Sequence, residues 1–501
     1  MMRRNSSLGS VGFSARGGRS RRRHGGSSKL PYLILIGILI VLLGIAAFLW
    51  VRRSPAEHVS SVPAATETDS ENGVISLDNA SAPADDSLEG VIAQAKLLAD
   101  GYDYDGAINL LSSSTYASDE SVTAAIDEYN ATKETLVRAD PRKVTHVFFH
   151  TLIMDTSKAF DGDSREKGYN QVMTTKDEFM KILQSMYERG FVLVRLHDVA
   201  YEVTAEDGSR HFQEGDIMLP EGKKPFVMSQ DDVCYYEYMD GDGFASRMII
   251  GEDGKPTNEM KMDDGSVSVG SYDLVPLLDD FIKEHPDFSY KGAKAIIALT
   301  GYEGILGYRT ASSYSETPDY ESEKEQAARV AQCLRDDGWE LASHSWGHLW
   351  MGVSDDPENP YKISDERFYT DTDKWENEVE SLIGPTDIYI YPNGNDVADW
   401  HPYTEENYRY QYLASKGFRY FCNVDASKPA WIQKGPDYLR MARRNLDGYR
   451  LYEDMIQEDP AKKRLSDLFD ASQIFDPSRP TPVTWNYGHT QNETPAPEPE
   501  Q

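Results

Sequence analysis

The sequence predicts an α/β protein whose main body is a barrel, or a strongly curved sheet, of parallel strands, preceded by a transmembrane helix and a small helical segment. Three observations carry this expectation. Strand-like and helix-like stretches alternate from about residue 141, an uncharged run of 22 residues lies near the N-terminus, and polar clusters directly follow three of the strand-like stretches. Strands alternating with amphipathic helices imply parallel pairing through crossover helices.

Residues 1–29 are a basic tail, and residues 30–51, Leu30 to Val51, carry no charge and end at Trp50 and Val51. Such a run is long enough to cross the hydrocarbon of a bilayer. Eight Arg or Lys precede it and only Arg52 and Arg53 follow. The positive-inside rule therefore puts the tail in the cytoplasm and the rest of the chain outside, as a single-pass protein of the cell membrane. The other reading is a cleaved signal peptide, but its apolar core is usually shorter, about 7 to 15 residues. Residues 52–85, rich in Ser, Ala, Pro and acid, read as a flexible linker.

Apolar residues at helical spacing then mark a small helical segment over 86–140: Leu88, Val91, Ile92 and Ala95; Tyr104, Ala107, Ile108 and Leu111; Val122, Ala125, Ile126 and Tyr129. The first two stretches resemble a tetratricopeptide-type hairpin. One hairpin cannot build a solenoid, so the segment is expected to be a spacer packed on the next domain or a docking element for a protein partner.

The main domain is expected over 141–480. Its strands are read at Thr145–Ile153, Phe191–Leu196, Phe226–Ser229, Ala293–Leu299, Glu340–Ser343, Ile388–Tyr391 and Tyr420–Val424, with helices between them such as the one carrying Phe179, Ile182, Leu183 and Met186. A Gly- and Asp-rich insertion over 235–272 reads as rim loops, and residues 481–501 as a disordered tail.

Charge narrows the partners. The chain has 83 acidic and 51 basic residues, a net −32, yet residues 1–53 hold ten basic residues and no acid. The remainder carries 41 basic against 83 acidic residues, a net −42. Nucleic acid phosphates select basic patches, so no nucleic acid partner is expected. Three scattered cysteines, Cys234, Cys333 and Cys422, exclude a disulfide framework.

The chemistry is expected at the carboxyl ends of the strands, where parallel α/β barrels gather their functional groups. The clusters are Ser229-Gln230-Asp231-Asp232-Val233, His344-Ser345-Trp346-Gly347-His348 and Tyr391-Pro392-Asn393-Gly394-Asn395. Two histidines four apart at a strand-to-helix junction can face one ion, and a carboxylate from Asp232 would complete a two-His, one-carboxylate set with open positions. Neutral imidazole suits a divalent metal, zinc first, with cobalt or nickel as alternatives. Neighbouring Asp231 is then free to take a proton from water, which is the arrangement of metal-assisted hydrolysis. Asp240-Gly241-Asp242-Gly243 lacks the spacing of a calcium loop and reads as a turn. Tyr302, Tyr308, Trp346 and Trp350 are candidates for stacking on sugar rings.

The order Asp-Asp, His-Ser-x-x-His, Tyr-Pro-x-Gly resembles the polysaccharide deacetylases, the NodB-homology or carbohydrate esterase family 4 group. Phe148-Phe149-His150 and Gly338-Trp339-Glu340-Leu341-Ala342-Ser343-His344 are similar to that family's opening strand and to its lead into the metal motif. The resemblance covers about residues 141–450. It implies a distorted (β/α) barrel, Asp231 as general base, Asp232, His344 and His348 as metal ligands, and Tyr391, Pro392 and Asn393 as substrate contacts. It also implies an N-deacetylase acting on an envelope glycan, peptidoglycan or an N-acetylglucosamine polymer. Three features depart from the pattern. Gln230 and Val233 replace the usual Phe and Gly, and the third cluster lacks the Arg that orients the base, leaving Arg440 or Arg444 as candidates. The late Leu-x-His that supplies a general acid is also missing, with His401, His146 or His150 as substitutes. A catalytically weak relative that binds glycan or a protein partner is therefore the alternative, and a two-carboxylate glycosidase a third reading.

Overall fold

The computed structural model describes residues 85–353, 359 and 361–485. The segment expected to span a membrane, the basic tail, nearly all of the linker and the end of the chain from 486 lie outside the described residues. Among the described residues, no helix is long and apolar enough to cross a membrane.

Three helices come first: α1 (Leu88–Asp100), α2 (Tyr104–Ser113) and α3 (Glu120–Lys133). Each starts where a short polar side chain satisfies a free amide: Ser87 accepts from Gly90, Asp103 from Gly106 and Asp119 from Ser121. Val91, Ala95, Ala99, Ala107, Leu111 and Val122 form their core, and the alanines let the helix backbones approach closely. Tyr102, in the α1–α2 turn, leaves this core and joins the next domain. Its ring stacks on Tyr290 with centroids 6.3 Å apart, and its hydroxyl donates to the Asp287 carbonyl at 2.8 Å. Lys291 N donates to the Gly101 carbonyl at 2.7 Å. The segment is thus fastened to the main domain at this turn and again at its far end, where Val137 and Arg138 pair with Leu219 and Met218. Tyr102→Ala should cost about 3 kcal/mol of this docking, visible as faster amide hydrogen exchange in α1–α3 with barrel protection unchanged.

The barrel strands are β1 (Thr145–Phe149), β2 (Phe191–Leu193), β3 (Lys224–Gln230), β4 (Ile296–Leu299), β5 (Glu340–Ser343), β6 (Ile388–Ile390), β7 (Tyr420–Val424) and β8 (Leu439–Asn445). Seven of them close a parallel ring in the order β1, β3, β4, β5, β6, β7, β8 and back to β1. Between them run α4 (Glu166–Val172), α5 (Lys176–Glu188), α6 (Leu274–Glu284), α7 (Tyr320–Asp336) and α8 (Asp365–Trp375). Side chains alternate in and out along each strand. Val227, Ile296, Ala298, Ala342, Ile388, Ile390 and Cys422 belong to one core, while Val147, Phe149, Phe226 and Met228 meet Phe179, Ile182, Leu183 and Met186 of α5 in another.

Seven strands were expected, but the membership differs. Phe191–Leu193 lies beside the start of β3, pairing Leu193 with Phe226, and takes no place in the ring. The seventh place belongs to β8, whose sequence Leu-Arg-Met-Ala-Arg-Arg-Asn carries three arginines yet is buried along its whole length. The 235–272 insertion is also more ordered than expected. It holds a three-stranded antiparallel sheet of Arg247–Ile250, Pro256–Lys261 and Val267–Gly270. Its Gly and Asp residues supply the hairpin turns, with Gly254 and Gly265 at φ 79° and 82°. At the other end, the fold reaches past 480: Val483 is buried and Trp485 packs against Tyr449.

Candidate active site

The site begins with the end of β3. Ser229 and Asp231 point into the barrel. Asp231 N continues the ladder by donating to the Phe149 carbonyl at 2.8 Å. Asp232 then adopts φ 58°, a left-handed conformation uncommon outside glycine, which breaks the strand alternation. The two adjacent carboxylates therefore serve different partners.

Asp231 is buried, 2 % exposed. Arg443 from β8 donates to its Oδ1 at 2.6 Å and to Ser229 Oγ at 3.2 Å. Burial alone would raise this carboxyl, but the Arg443 guanidinium outweighs it and, with His344 adding in the same sense, brings the pKa to about 2. Asp231 is therefore a carboxylate at neutral pH. Below it, His146 Nε2 lies 3.0 Å from Ser229 Oγ. Burial and the nearby Arg443 charge hold His146 well below its ordinary value, so it is neutral.

Asp232 turns toward His348, while His344 Nε2 lies between the two carboxylates, 3.7 Å from Asp231 Oδ2. Ligand atoms of Asp232, His344 and His348 all lie within 4.8 Å of one another, and Asp232 Oδ2 is 3.6 Å from His348 Nε2. Tyr236 donates its hydroxyl to Asp232 Oδ1 at 3.0 Å. His344 Nδ1 lies 2.8 Å from the Ile390 carbonyl. A carbonyl can only accept, so Nδ1 carries the hydrogen and Nε2 presents its lone pair to the cluster, the usual way a ligating histidine is oriented. Burial pushes His344 down to about 4, keeping the imidazole in the neutral form that binds metal. A two-nitrogen, one-carboxylate donor set of this spacing fits a divalent ion such as zinc.

The histidine pair sits on a loop, where a strand-to-helix junction was expected. Ser345 and His348 have φ 57° and 51°, and these two left-handed residues curl the loop so that both rings meet, 5.0 Å apart and edge to face. Asp371 of α8 anchors it, accepting from Trp346 N at 2.9 Å and Gly347 N at 2.8 Å.

The structure thus brings Asp231, Asp232, His344 and His348 together. It treats the third cluster differently. Tyr391 is fully buried, its hydroxyl 2.8 Å from that of Tyr403, and Pro392 is buried too. Their side chains were expected to touch substrate, and the structure places Tyr391 in the outer core, continuing the outward parity of Tyr389 on β6. Asn393 is exposed in the following turn at φ 55°.

The departures from the family pattern also find partners. Gln230 points outward and donates to Asp273 at 2.8 Å, and Val233 is buried in the outer core. The arginine that bonds Asp231 is Arg443. The two named in advance are engaged elsewhere: Arg440 pairs with Asp396 at 2.8 Å and Arg444 with Asp467 at 2.7 Å. Among the three histidines considered as acid, His146 is sealed inside the barrel and His401 is exposed, stacked on Trp400 at 3.9 Å. His150 directly follows β1, is half-buried, and contributes to lowering the pKa of both Asp231 and Asp232. Of the aromatic candidates, Tyr308 is core under Arg247, Tyr302 stacks on Tyr236 at 5.0 Å, and the Trp346 indole donates to Glu378 at 2.9 Å. In the Asp-Gly-Asp-Gly turn, Asp242 accepts from Arg165 and Tyr169, while Asp240 pairs with Lys261.

No family model matches the chain, and no curated protein matches it. Five chains of solved structures are similar, among them the following two. One is a de-N-acetylase from Aggregatibacter actinomycetemcomitans, with 15% identity and a TM-score of 0.33 over 61% of this chain and 95% of that one. The other is IcaB from Ammonifex degensii, with 13% identity and a TM-score of 0.28 over 56% of this chain and 83% of that one. At these TM-scores the likeness is loose. The resemblance to polysaccharide deacetylases rests on the Asp-Asp and His-x-x-x-His pairs and on the barrel that joins them.

Proposed function

We propose that the chain is a membrane-anchored, metal-dependent N-deacetylase that hydrolyses acetamide groups of an N-acetylated envelope glycan. The observation that carries this reading is an ionised, arginine-held Asp231 next to a convergent Asp232, His344 and His348. A divalent ion held by those three side chains would polarise an acetamide carbonyl and make water a better nucleophile near neutral pH. Asp231 takes the proton of the attacking water as its oxygen bonds to the carbonyl carbon. Arg443 keeps that carboxylate ionised and aimed. His150, directly after β1, the strand beside β3, gives a proton to the nitrogen as the carbon–nitrogen bond breaks. The products are acetate and a free amine.

Two observations favour this reading over the weak-binder alternative, whose motivation was a missing arginine and a missing acid: Arg443 donates to Asp231, and His150 lies near enough to Asp231 and Asp232 to lower both carboxyls. It also disfavours a glycosidase, which needs one carboxyl raised to act as acid, whereas both Asp231 and Asp232 are lowered. The net −42 body suits a neutral glycan over an anionic one. Anchoring by residues 30–51, with the barrel outside the cell, belongs to the same proposal and rests on the charge asymmetry around that run.

The test is acetate release from an N-acetylglucosamine oligomer by the full chain. Release should stop on chelation and return with added zinc, cobalt or nickel. Release indifferent to chelation, or chain cleavage without acetate, would overturn the reading.

A further inference from the structure

The last stretch of the described chain, beyond the barrel, carries an ion pair with no exposure. Arg479 and Glu178, the latter in the first turn of α5, are both 0 % exposed in their side chains. Arg479 Nε and Nη2 reach the two oxygens of Glu178 at 2.7 and 2.6 Å. Its remaining N–H groups go to one short piece of chain: Nη1 to the Asn170 carbonyl and side-chain oxygen, both at 3.0 Å, and Nη2 to the Met173 carbonyl at 2.7 Å. A planar guanidinium fork is thereby spent on holding backbone. Ion pairs this deep add little net stability, because desolvation offsets the attraction, and a role in specifying one geometry is the better account of such a pair.

What lies between the clasped residues is Val172, whose carbonyl is 3.0 Å from His150 Nδ1. Since a carbonyl only accepts, this contact puts the hydrogen of neutral His150 on Nδ1 and reserves Nε2 for proton exchange toward the site. We propose that the Arg479–Glu178 pair is a positioning unit for His150: by clamping Asn170 and Met173 it sets the Val172 carbonyl, which in turn fixes the orientation and tautomer of the imidazole. The inference rests on the proton-donor role proposed above for His150. Arg479 itself touches no reacting atom.

The experiment compares two substrates. Acetamide hydrolysis needs a proton on the departing nitrogen, whereas an aryl acetate such as 4-nitrophenyl acetate expels a phenolate without one. Arg479→Lys keeps the charge and loses the fork. It should lower the ratio of acetamide to aryl acetate turnover by about 10-fold or more, because misplacing an acid by a fraction of an ångström forfeits much of its effect. Asn170→Ala, which leaves the ion pair but removes one acceptor of Arg479 and the Asn170 donation to the Pro480 carbonyl, should lower the ratio in the same sense by less. His150→Ala is the reference, and should lower it most. If His150→Ala lowers the ratio and Arg479→Lys and Asn170→Ala do not, or if both turnovers fall in parallel in those variants, the positioning inference is overturned while the donor role of His150 stands. If His150→Ala leaves the ratio unchanged, the donor role fails and the inference with it.

Discussion

Asp231→Asn is expected to lower acetate release from an N-acetylglucosamine oligomer by about 100 to 10,000-fold, the range a positioned general base supplies. The amide oxygen can still accept the Arg443 hydrogen bond that Asp231 Oδ1 accepts at 2.6 Å, so the fold should persist with a loss of about 2 kcal/mol from the weakened charge pairing. Asp232, His344 and His348 are untouched, so metal affinity should be near that of the parent. Steady-state release, denaturant unfolding and metal content measured on one preparation separate the three effects. Retained turnover would remove Asp231 from the mechanism.

Arg443→Leu should act through the same carboxylate, with a different signature. In the parent, burial favours the neutral acid and Arg443 overrides it, bringing Asp231 from its ordinary 3.8 to about 2. The carboxylate is therefore complete at any pH above about 4. Without the guanidinium, burial prevails and the pKa rises above its ordinary value, so the acid limb of the pH–rate profile should move to higher pH and turnover at pH 5 should fall more than at pH 8. Leaving a buried carboxylate unpaired should also cost about 3 to 5 kcal/mol of stability at neutral pH. In the parent, because the folded-state pKa is the lower one, the stability contributed by this pair is fully present above about pH 4 and is lost as pH falls toward about 2. An acid limb that does not move in Arg443→Leu would show that Arg443 does not set the state of Asp231.

The residues legible in the sequence are those whose chemistry is local. Asp231 with Asp232, and His344 with His348, are close in the chain, distinctive in type and placed just after strands. Arg443 was hidden because its partner lies 212 residues away, and because it is one of three arginines in a single strand. Strand parity decides among them: β8 pairs Arg443 with His146 of β1, inside the barrel, while Arg440 and Arg444 reach Asp396 and Asp467. The same parity misled the reading of Tyr391. A tyrosine at a strand end suggests a rim contact, but its neighbours Ile388 and Ile390 take the inner face and turn Tyr391 into the outer core. The strand β8 was overlooked for a related reason. Polar groups sit on both its faces, Arg443 inward on Asp231 and Arg440 and Arg444 outward on Asp396 and Asp467, so it lacks the apolar run by which the other strands are recognised.

The central claim is that three side chains from two strand ends form one metal site. Metal bound per chain, measured after exhaustive dialysis against a limiting zinc concentration, tests it most directly. The parent should hold one zinc, Asp231→Asn should hold one as well, and His344→Ala or Asp232→Ala should bind at least about 100-fold more weakly, since each removes a ligand and even outer partners cost about 10 to 100-fold. Zinc content unchanged by His344→Ala and Asp232→Ala would contradict the account.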